Sequence, residues 1–234
     1  MKFDLRPYEL FLFDVDGTIA ETEGLGHLPA FNAAFEKHAI PWRWDAQVYR
    51  ELLKITGGFE RLKSYRLAQG INPGNDQFPS DELLKSVHLT KNQIYGELMQ
   101  AGKVVARPGL INFINQISEH GKSWGVVTTT SYSNWNSLWR SVLKNEIQQN
   151  PLVVICGEDV VKKKPDPEAY LLAIEKMGVQ PNICLAIEDS ENGLLSARQA
   201  GLEVLVVRSQ FFFDAQFSGA KLIANEFSEL DPIF

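Results

Sequence analysis

Cysteine is scarce in this chain of 234 residues, and the two present, Cys156 and Cys184, belong to no CxxC pair and no Cys/His cluster. A disulfide framework and a thiolate metal site are thereby excluded, and both residues are expected to be reduced and packed in the core. Positive charge is scarce too: the formal net charge is -6, and the only basic run is "KKK" at 162–164. Nucleic acid is therefore not an expected partner. No hydrophobic run reaches the length of a spanning helix. The opening segment, "MKFDLRPYELFLFD", carries Asp4 and Glu9 ahead of a short apolar stretch and fits neither a signal peptide nor an anchor. No membrane partner and a cytoplasmic location are expected. There is no internal repeat and no low-complexity segment.

What the chain does have is 44% hydrophobic residues, enough for a substantial core. From residue 108 the pattern alternates between helical and strand periodicity. "PGLINFINQISEHG", "SNWNSLWRSVLKN", "DPEAYLLAIEKMG" and "SENGLLSARQAG" read as helices, and "SWGVVT", "LVVIC", "NICLAIED" and "EVLVV" as strands. Such alternation implies right-handed crossovers and a parallel sheet covered on both faces. One further strand, "YELFLF", lies far upstream. Between them, "GHLPAFNAAFEKH", "DAQVYRELLKIT", "GFERLKSYRLAQG" and "SDELLKSVHLTKNQIYGELMQ" read as four helices, broken by "PWRW" and "NPGNDQFPS". The expected fold is α/β: a Rossmann-like parallel sheet core from residues 1–20 and 105–234, with an inserted helical cap domain at 21–104. The cap would sit over the carboxyl ends of the strands, where such sheets bind ligands.

Chemistry concentrates at those ends. Asp14 and Asp16 follow "LFLF" at i and i+2, so both start from the same side of the strand. Thr128 and Asp189 each follow an apolar run as well, so the three strand ends would converge on one crevice. Glu188 and Asp189 bring the local carboxylates to four, a crowding that demands a cation, and oxygen ligands suit Mg²⁺. Lys164 adds a fixed positive charge. An anionic substrate with a transferable phosphoryl group fits this mixture. Asp14 is the candidate nucleophile and Asp16 the acid–base partner. Gly17 permits the turn, and the Thr18 hydroxyl is expected to hold Asp16. Thr128 and the backbone after it would bind phosphate oxygens, with Lys164 offsetting charge.

"DVDGT", "TTTS", "KPDP" and "EDS", in this order, resemble the four motifs of the haloacid dehalogenase superfamily, specifically its aspartate-nucleophile phosphatases and phosphomutases. The resemblance covers essentially the whole chain. It implies Mg²⁺ bound by Asp14, the Asp16 carbonyl and Asp189, with Glu188 close by, and a mobile helical cap. Within the cap, "WRWD...Y..LLK..GG.ER...Y" is similar to the CbbY-type xylulose-1,5-bisphosphate phosphatases of the β-phosphoglucomutase-like branch. That similarity implies a small sugar phosphate as substrate, Arg61 and Lys91 on its distal phosphate, and Glu23, His27 and Tyr49 near the sugar. Gly58, Thr129 and Thr130 complete the implied substrate-binding set. The segment "ETEGLGH" is one residue longer than the commoner spacing between the second aspartate and the histidine.

The sequence leaves simpler roles open. Arg61 could pair with Glu60 or Glu51 on a helix face, His27 could cap or pack, and Trp42, Trp44 and Tyr49 could be cap core. Lys162 and Lys163 read as a solvated turn, and "FFF" at 211–213 as peripheral packing or a subunit contact. His38, His88 and His120 have no identifiable partners. A phosphomutase or a phosphatase of another small phosphate, such as phosphoglycolate, would use the same four motifs. A receiver domain needs neither the cap nor Asp16, and a metal-free dehalogenase needs no acid at Asp16. A monomeric, Mg²⁺-dependent sugar-phosphate phosphatase is the expectation.

Overall fold

The computed structural model describes residues 1–69 and 79–234, so most of the predicted break at "NPGNDQFPS" lies outside the described residues. Strand β1 (Lys2–Asp4) and strand β2 (Leu10–Phe13) lead into a single π-helical turn, Glu23–His27. Four helices follow: α1 (Leu28–Lys37), α2 (Ala46–Leu52), α3 (Gly58–Ala68) and α4 (Asp81–Gln100). The chain then runs through α5 (Leu110–Glu119), β3 (Ser123–Val127), α6 (Tyr132–Leu138), β4 (Val154–Ile155), α7 (Glu168–Met177) and β5 (Cys184–Glu188). Helix α8 (Glu191–Gln199), β6 (Glu203–Val207), β7 (Leu222–Ala224) and β8 (Asp231–Ile233) complete it.

Six strands form one all-parallel sheet in the order β4-β3-β2-β5-β6-β7. Its strands are apolar on both sides, and their period of two sorts the side chains between two cores. Phe11, Phe13, Trp124, Val126, Leu185 and Ile187 face α5, through Phe113, Ile114 and Ile117. Leu10, Leu12, Val127, Cys184, Ala186 and Val204 face α7 and α8, through Tyr170, Ala173 and Ala197. Both cysteines are buried and free, as expected.

A third cluster gathers the apolar faces of α1–α4, including Phe31, Phe35, Trp44, Tyr49, Leu62 and Val87. Helix α4 joins two of the cores. Its Leu84 and Val87 belong to the third cluster, and its Tyr95 and Met99 to the sheet core.

The sheet was predicted from its long apolar runs, and those strands are present. The differences lie at its margins. "LVVIC" contributes only two paired residues because β4 is an edge strand. The predicted helix after Thr130 passes at Trp139 into a second π-helical turn, Trp139–Leu143. The parallel β1–β8 pair and strand β7 are three residues each, too short for a periodicity to register.

Candidate active site

Strands β3, β2 and β5 are neighbours in register, so Thr128, Asp14 and Asp189 leave the sheet side by side at its carboxyl edge. The serines that close two of the motifs turn the chain back into helices. The Ser131 hydroxyl accepts from Asn134 N and the Ser190 hydroxyl from Gly193 N, capping α6 and α8. Lys164 reaches the same point: its Nζ donates to Asp14 Oδ1 at 2.7 Å, Glu188 Oε1 at 2.6 Å and the Val127 carbonyl at 2.7 Å. Burial works against the ammonium, but Asp14 and Glu188 outweigh it and raise the Lys164 pKa.

The acids here fit a cation. Ligand atoms of Asp14, Glu188 and Asp189 lie within 4.8 Å of one another. Glu188 is fully buried; Tyr170 and Lys164 both donate to its Oε1, while its Oε2 has no hydrogen-bond partner among the described residues. An orphaned, buried carboxylate oxygen is costly unless a cation or water meets it. Burial and the neighbouring acids push the pKa of Asp14 and Asp189 well above the carboxylate range, which a bound cation would reverse. The cradle is close-fitting. A Cβ on Gly17, at φ +89°, would meet Asp189 Oδ2 at 2.1 Å, and one on Gly193 would meet Glu188 Oε2 at 1.9 Å. Gly193→Ala is expected to destabilise the protein by about 1–3 kcal/mol through overpacking, read as a fall in Tm.

Asp16 turns away from this cluster, so its carboxylate is not among the gathered metal-ligating groups; only its main-chain carbonyl remains for a metal. The Asp16 Oδ1 accepts from Thr22 Oγ1 at 2.6 Å and meets His27 Nε2 at 2.9 Å. Thr22 holds Asp16, correcting the expectation for Thr18, whose buried Oγ1 has no hydrogen-bond partner among the described residues. The left-handed turn at Gly17 and the Asp16–Ala20 bridge fold the next residues back, which places Thr22 beside the carboxylate. Lys91 Nζ lies 2.6 Å from His27 Nδ1. An ammonium can only donate, so the ring accepts at Nδ1 and presents its proton at Nε2 to Asp16. Burial opposes the charge on Asp16, but His27, Thr22 and Lys91 hold its pKa below the usual range.

Burial also lowers the Lys91 pKa to about 7, with Asp16 and Glu23 opposing. Between that value and the model-peptide 10.5, the unfolded chain keeps a proton that the folded one has lost. Stability from this group therefore rises with pH across that window. Lys91→Met is expected to flatten that part of the curve, measured by urea unfolding from pH 7 to pH 9.

These groups open into one cavity of about 250 Å³. Core residues Asp14, Asp16, Thr128, Thr129, Thr130, Lys164 and Asp189 line it, as do Glu23, His27, Gly58, Arg61 and Lys91 from the helical segment. Arg61 pairs with neither Glu60 nor Glu51, which are taken by Lys163 and Lys54. Its Nε donates to the Ile55 carbonyl at 2.9 Å, its Nη1 to Tyr49 Oη at 3.3 Å, and its Nη2 lies 3.7 Å from Glu23 Oε1.

Tyr49, expected near the sugar, does not line the cavity. Its ring is buried against Phe31, Trp44 and Phe211, and its hydroxyl donates to Glu23 Oε2 at 2.5 Å. Lys163 is not a solvated turn residue either; it lines the cavity and pairs with Glu60 at 2.8 Å, while Lys162 is exposed. His38 has a partner in Thr90 at 2.7 Å, and His120 stacks on Phe234. His88, for which the sequence offered no partner, and Phe212, read with the 211–213 run as peripheral packing or a subunit contact, both face the cavity. Burial, with Lys91 nearby, pushes the His88 pKa down to about 4 and keeps that ring neutral near pH 7.

A sheet with an acid–lysine centre at its carboxyl edge defines a class, and the chain matches the haloacid dehalogenase-like hydrolases over residues 8–201. It belongs to that family and is a hydrolase. Among curated relatives, protein CbbY of Cereibacter sphaeroides is 37% identical over 222 residues, spanning 95% of this chain and 94% of that one. The crystal structure of CbbY from Rhodobacter sphaeroides in complex with phosphate matches at a TM-score of 0.88, with 36% identity and 97% of each chain covered. A mutant of that protein in complex with xylulose-(1,5)bisphosphate matches equally, at 35% identity over 97% of each chain and a TM-score of 0.88. Among the described residues, no helix is long and apolar enough to cross a membrane.

Proposed function

We propose that the protein is a Mg²⁺-dependent phosphatase of a small sugar bisphosphate, most specifically xylulose 1,5-bisphosphate, and that it works through an aspartyl-phosphate. The observation that carries the reading is a single cavity holding two sets of anion-binding groups: Lys164 among the core acids, and Arg61 with Lys91 from the helical segment. A bisphosphate has one phosphate for each. The likeness to a CbbY structure in complex with xylulose-(1,5)bisphosphate supports the choice of sugar. In this reading residues 1–20 and 105–234 form the catalytic core, residues 21–104 cap it, and the chain acts as a monomer.

Asp14 attacks phosphorus, and the bond from phosphorus to the sugar oxygen breaks as the aspartyl-phosphate forms. A protonated Asp16 gives its proton to the departing oxygen, the His27 Nε2–H holding the carboxylate that results, and Asp16 then regains a proton from the water that attacks the aspartyl-phosphate. Orthophosphate leaves and Asp14 is restored. The Thr128 hydroxyl accepts from Thr130 N at 3.1 Å, which leaves its own O–H to donate to a phosphoryl oxygen. Thr129 and Thr130 line the same wall. Lys164 holds Asp14 in place and balances negative charge. When bound by Asp14, Asp189 and the Asp16 carbonyl, with Glu188 beside them, Mg²⁺ offsets the charge that gathers on the transferring group. Glu23, His27 and Gly58 border the sugar, and Arg61 and Lys91 take its distal phosphate.

Orthophosphate release from xylulose 1,5-bisphosphate, β-glucose 1-phosphate and phosphoglycolate tests the reading. Metal-dependent preference for the bisphosphate, abolished by chelator, is expected. Turnover confined to a monophosphate would overturn the choice of substrate.

A further inference from the structure

We propose that Phe211, on the loop after β6, is a positioning residue for distal-phosphate recognition: it seats the ring of Tyr49, whose hydroxyl holds Glu23 and Arg61 in the cavity wall. The inference rests on the role given to Arg61 above. Every other buried member of the helical cluster lies between Phe31 and Val87, so Phe211 enters that core from a distant part of the chain. It is 7% exposed and meets Tyr49 edge-on, with ring centroids 5.6 Å apart at 80°. Such edge-to-face pairs are directional and well suited to fixing a ring.

Tyr49 is the middle of a short chain of contacts. Its hydroxyl donates to Glu23 Oε2 at 2.5 Å and accepts from Arg61 Nη1 at 3.3 Å, and the Arg61 guanidinium lies 5.7 Å from its ring centroid. Neither Tyr49 nor Phe211 lines the cavity, so neither acts by touching substrate. The loop that carries Phe211 is itself tethered. The Ser209 hydroxyl donates to Asp189 Oδ2 at 2.5 Å, and Gln210 N donates to Glu21 Oε1 at 3.1 Å. One strip of three residues thus connects the acid cluster to the tyrosine behind the distal-phosphate arginine. Removing the Phe211 ring gives Tyr49 room to shift, and Arg61 loses the hydroxyl that helps orient it. Asp14, Asp16 and Lys164 keep their own partners.

The test separates KM from kcat on two substrates. Phe211→Ala is expected to raise KM for xylulose 1,5-bisphosphate by about tenfold, the scale of one weakened charge-assisted contact, while kcat and the KM for a pentulose monophosphate stay within about twofold. Phe211→Leu, which refills the space, should recover most of the loss and covers the case in which the alanine variant fails to fold. Because Phe211 acts through the Tyr49 hydroxyl, the Phe211→Ala/Tyr49→Phe double variant should be no worse than Tyr49→Phe alone. Phe213→Ala, at an exposed position on the same loop, should match the wild type. Equal KM changes on both substrates, no change on either, or additive effects in the double variant would overturn the proposal. If Arg61→Ala itself spares the bisphosphate KM, the distal-phosphate reading fails and takes this inference with it, an outcome distinct from failure of Phe211 alone.

Discussion

Asp14→Asn is expected to lower orthophosphate release by about 10⁴-fold or more, the scale on which single members of a catalytic unit fail. It should also leave no label on acid-quenched protein after exposure to a ³²P-labelled substrate. An amide has no lone pair on oxygen basic enough to attack phosphorus at a useful rate, yet Asn Oδ1 can still accept from Lys164 Nζ, now 2.7 Å from Asp14 Oδ1. The fold is therefore expected to survive, and circular dichroism and thermal unfolding check that. The substitution removes a buried acid whose pKa is raised by burial and by Glu188, so the variant should be no less stable than the wild type in the absence of metal. Turnover within about tenfold of wild type would exclude Asp14 as nucleophile.

Arg61→Ala is expected to raise KM for a sugar bisphosphate by about 10- to 150-fold, the equivalent of the roughly 1.5–3 kcal/mol carried by hydrogen bonds to a charged group. The KM for a monophosphate lacking the distal group should change little. The asymmetry follows from position: Arg61 comes from α3 and is held by Ile55 and Tyr49, whereas Asp14 and Lys164 hold one another at the sheet edge. Its charge is secure, since Tyr49 and Glu23 overcome the opposing effect of burial and raise its pKa. Lysine at the same position would keep the charge and lose the planar fork, so Arg61→Lys should recover only part of the affinity. Equal losses on both substrates would show that Arg61 supports the fold and not the distal phosphate.

The convergence of Asp14, Thr128 and Asp189 on one sheet edge was legible in the sequence because they are tied to chain-local features. Each sits one step beyond an apolar run, and a parallel sheet aligns such steps without further information. Ser131 and Ser190 were visible as motif letters, and their role as helix caps follows from the strand-to-helix turns they close. What escaped was everything decided by tertiary contact. Thr22 holds Asp16 only after the turn at Gly17 folds the chain back, whereas the sequence pointed to Thr18 because it is the nearer hydroxyl. Tyr49 carries the same residue type whether it lines a cavity or backs one, and only the packing of Phe31, Trp44 and Phe211 places it behind Glu23. Lys163 looked like its exposed neighbour Lys162 because its partner, Glu60, lies on a helix formed a hundred residues earlier. The aromatic run at 211–213 divides three ways: Phe211 is buried in the helical cluster, Phe212 faces the cavity and Phe213 is exposed.

The measurement that tests the central claim most directly is product analysis by ³¹P NMR of xylulose 1,5-bisphosphate treated with the enzyme and Mg²⁺, with no bisphosphate primer added. Transfer of the phosphoryl group from Asp14 to water predicts one equivalent of orthophosphate and one of a xylulose monophosphate, with both signals absent in chelator. Phosphate moved to another position on the sugar without orthophosphate release, or equal product with and without metal, would contradict the account.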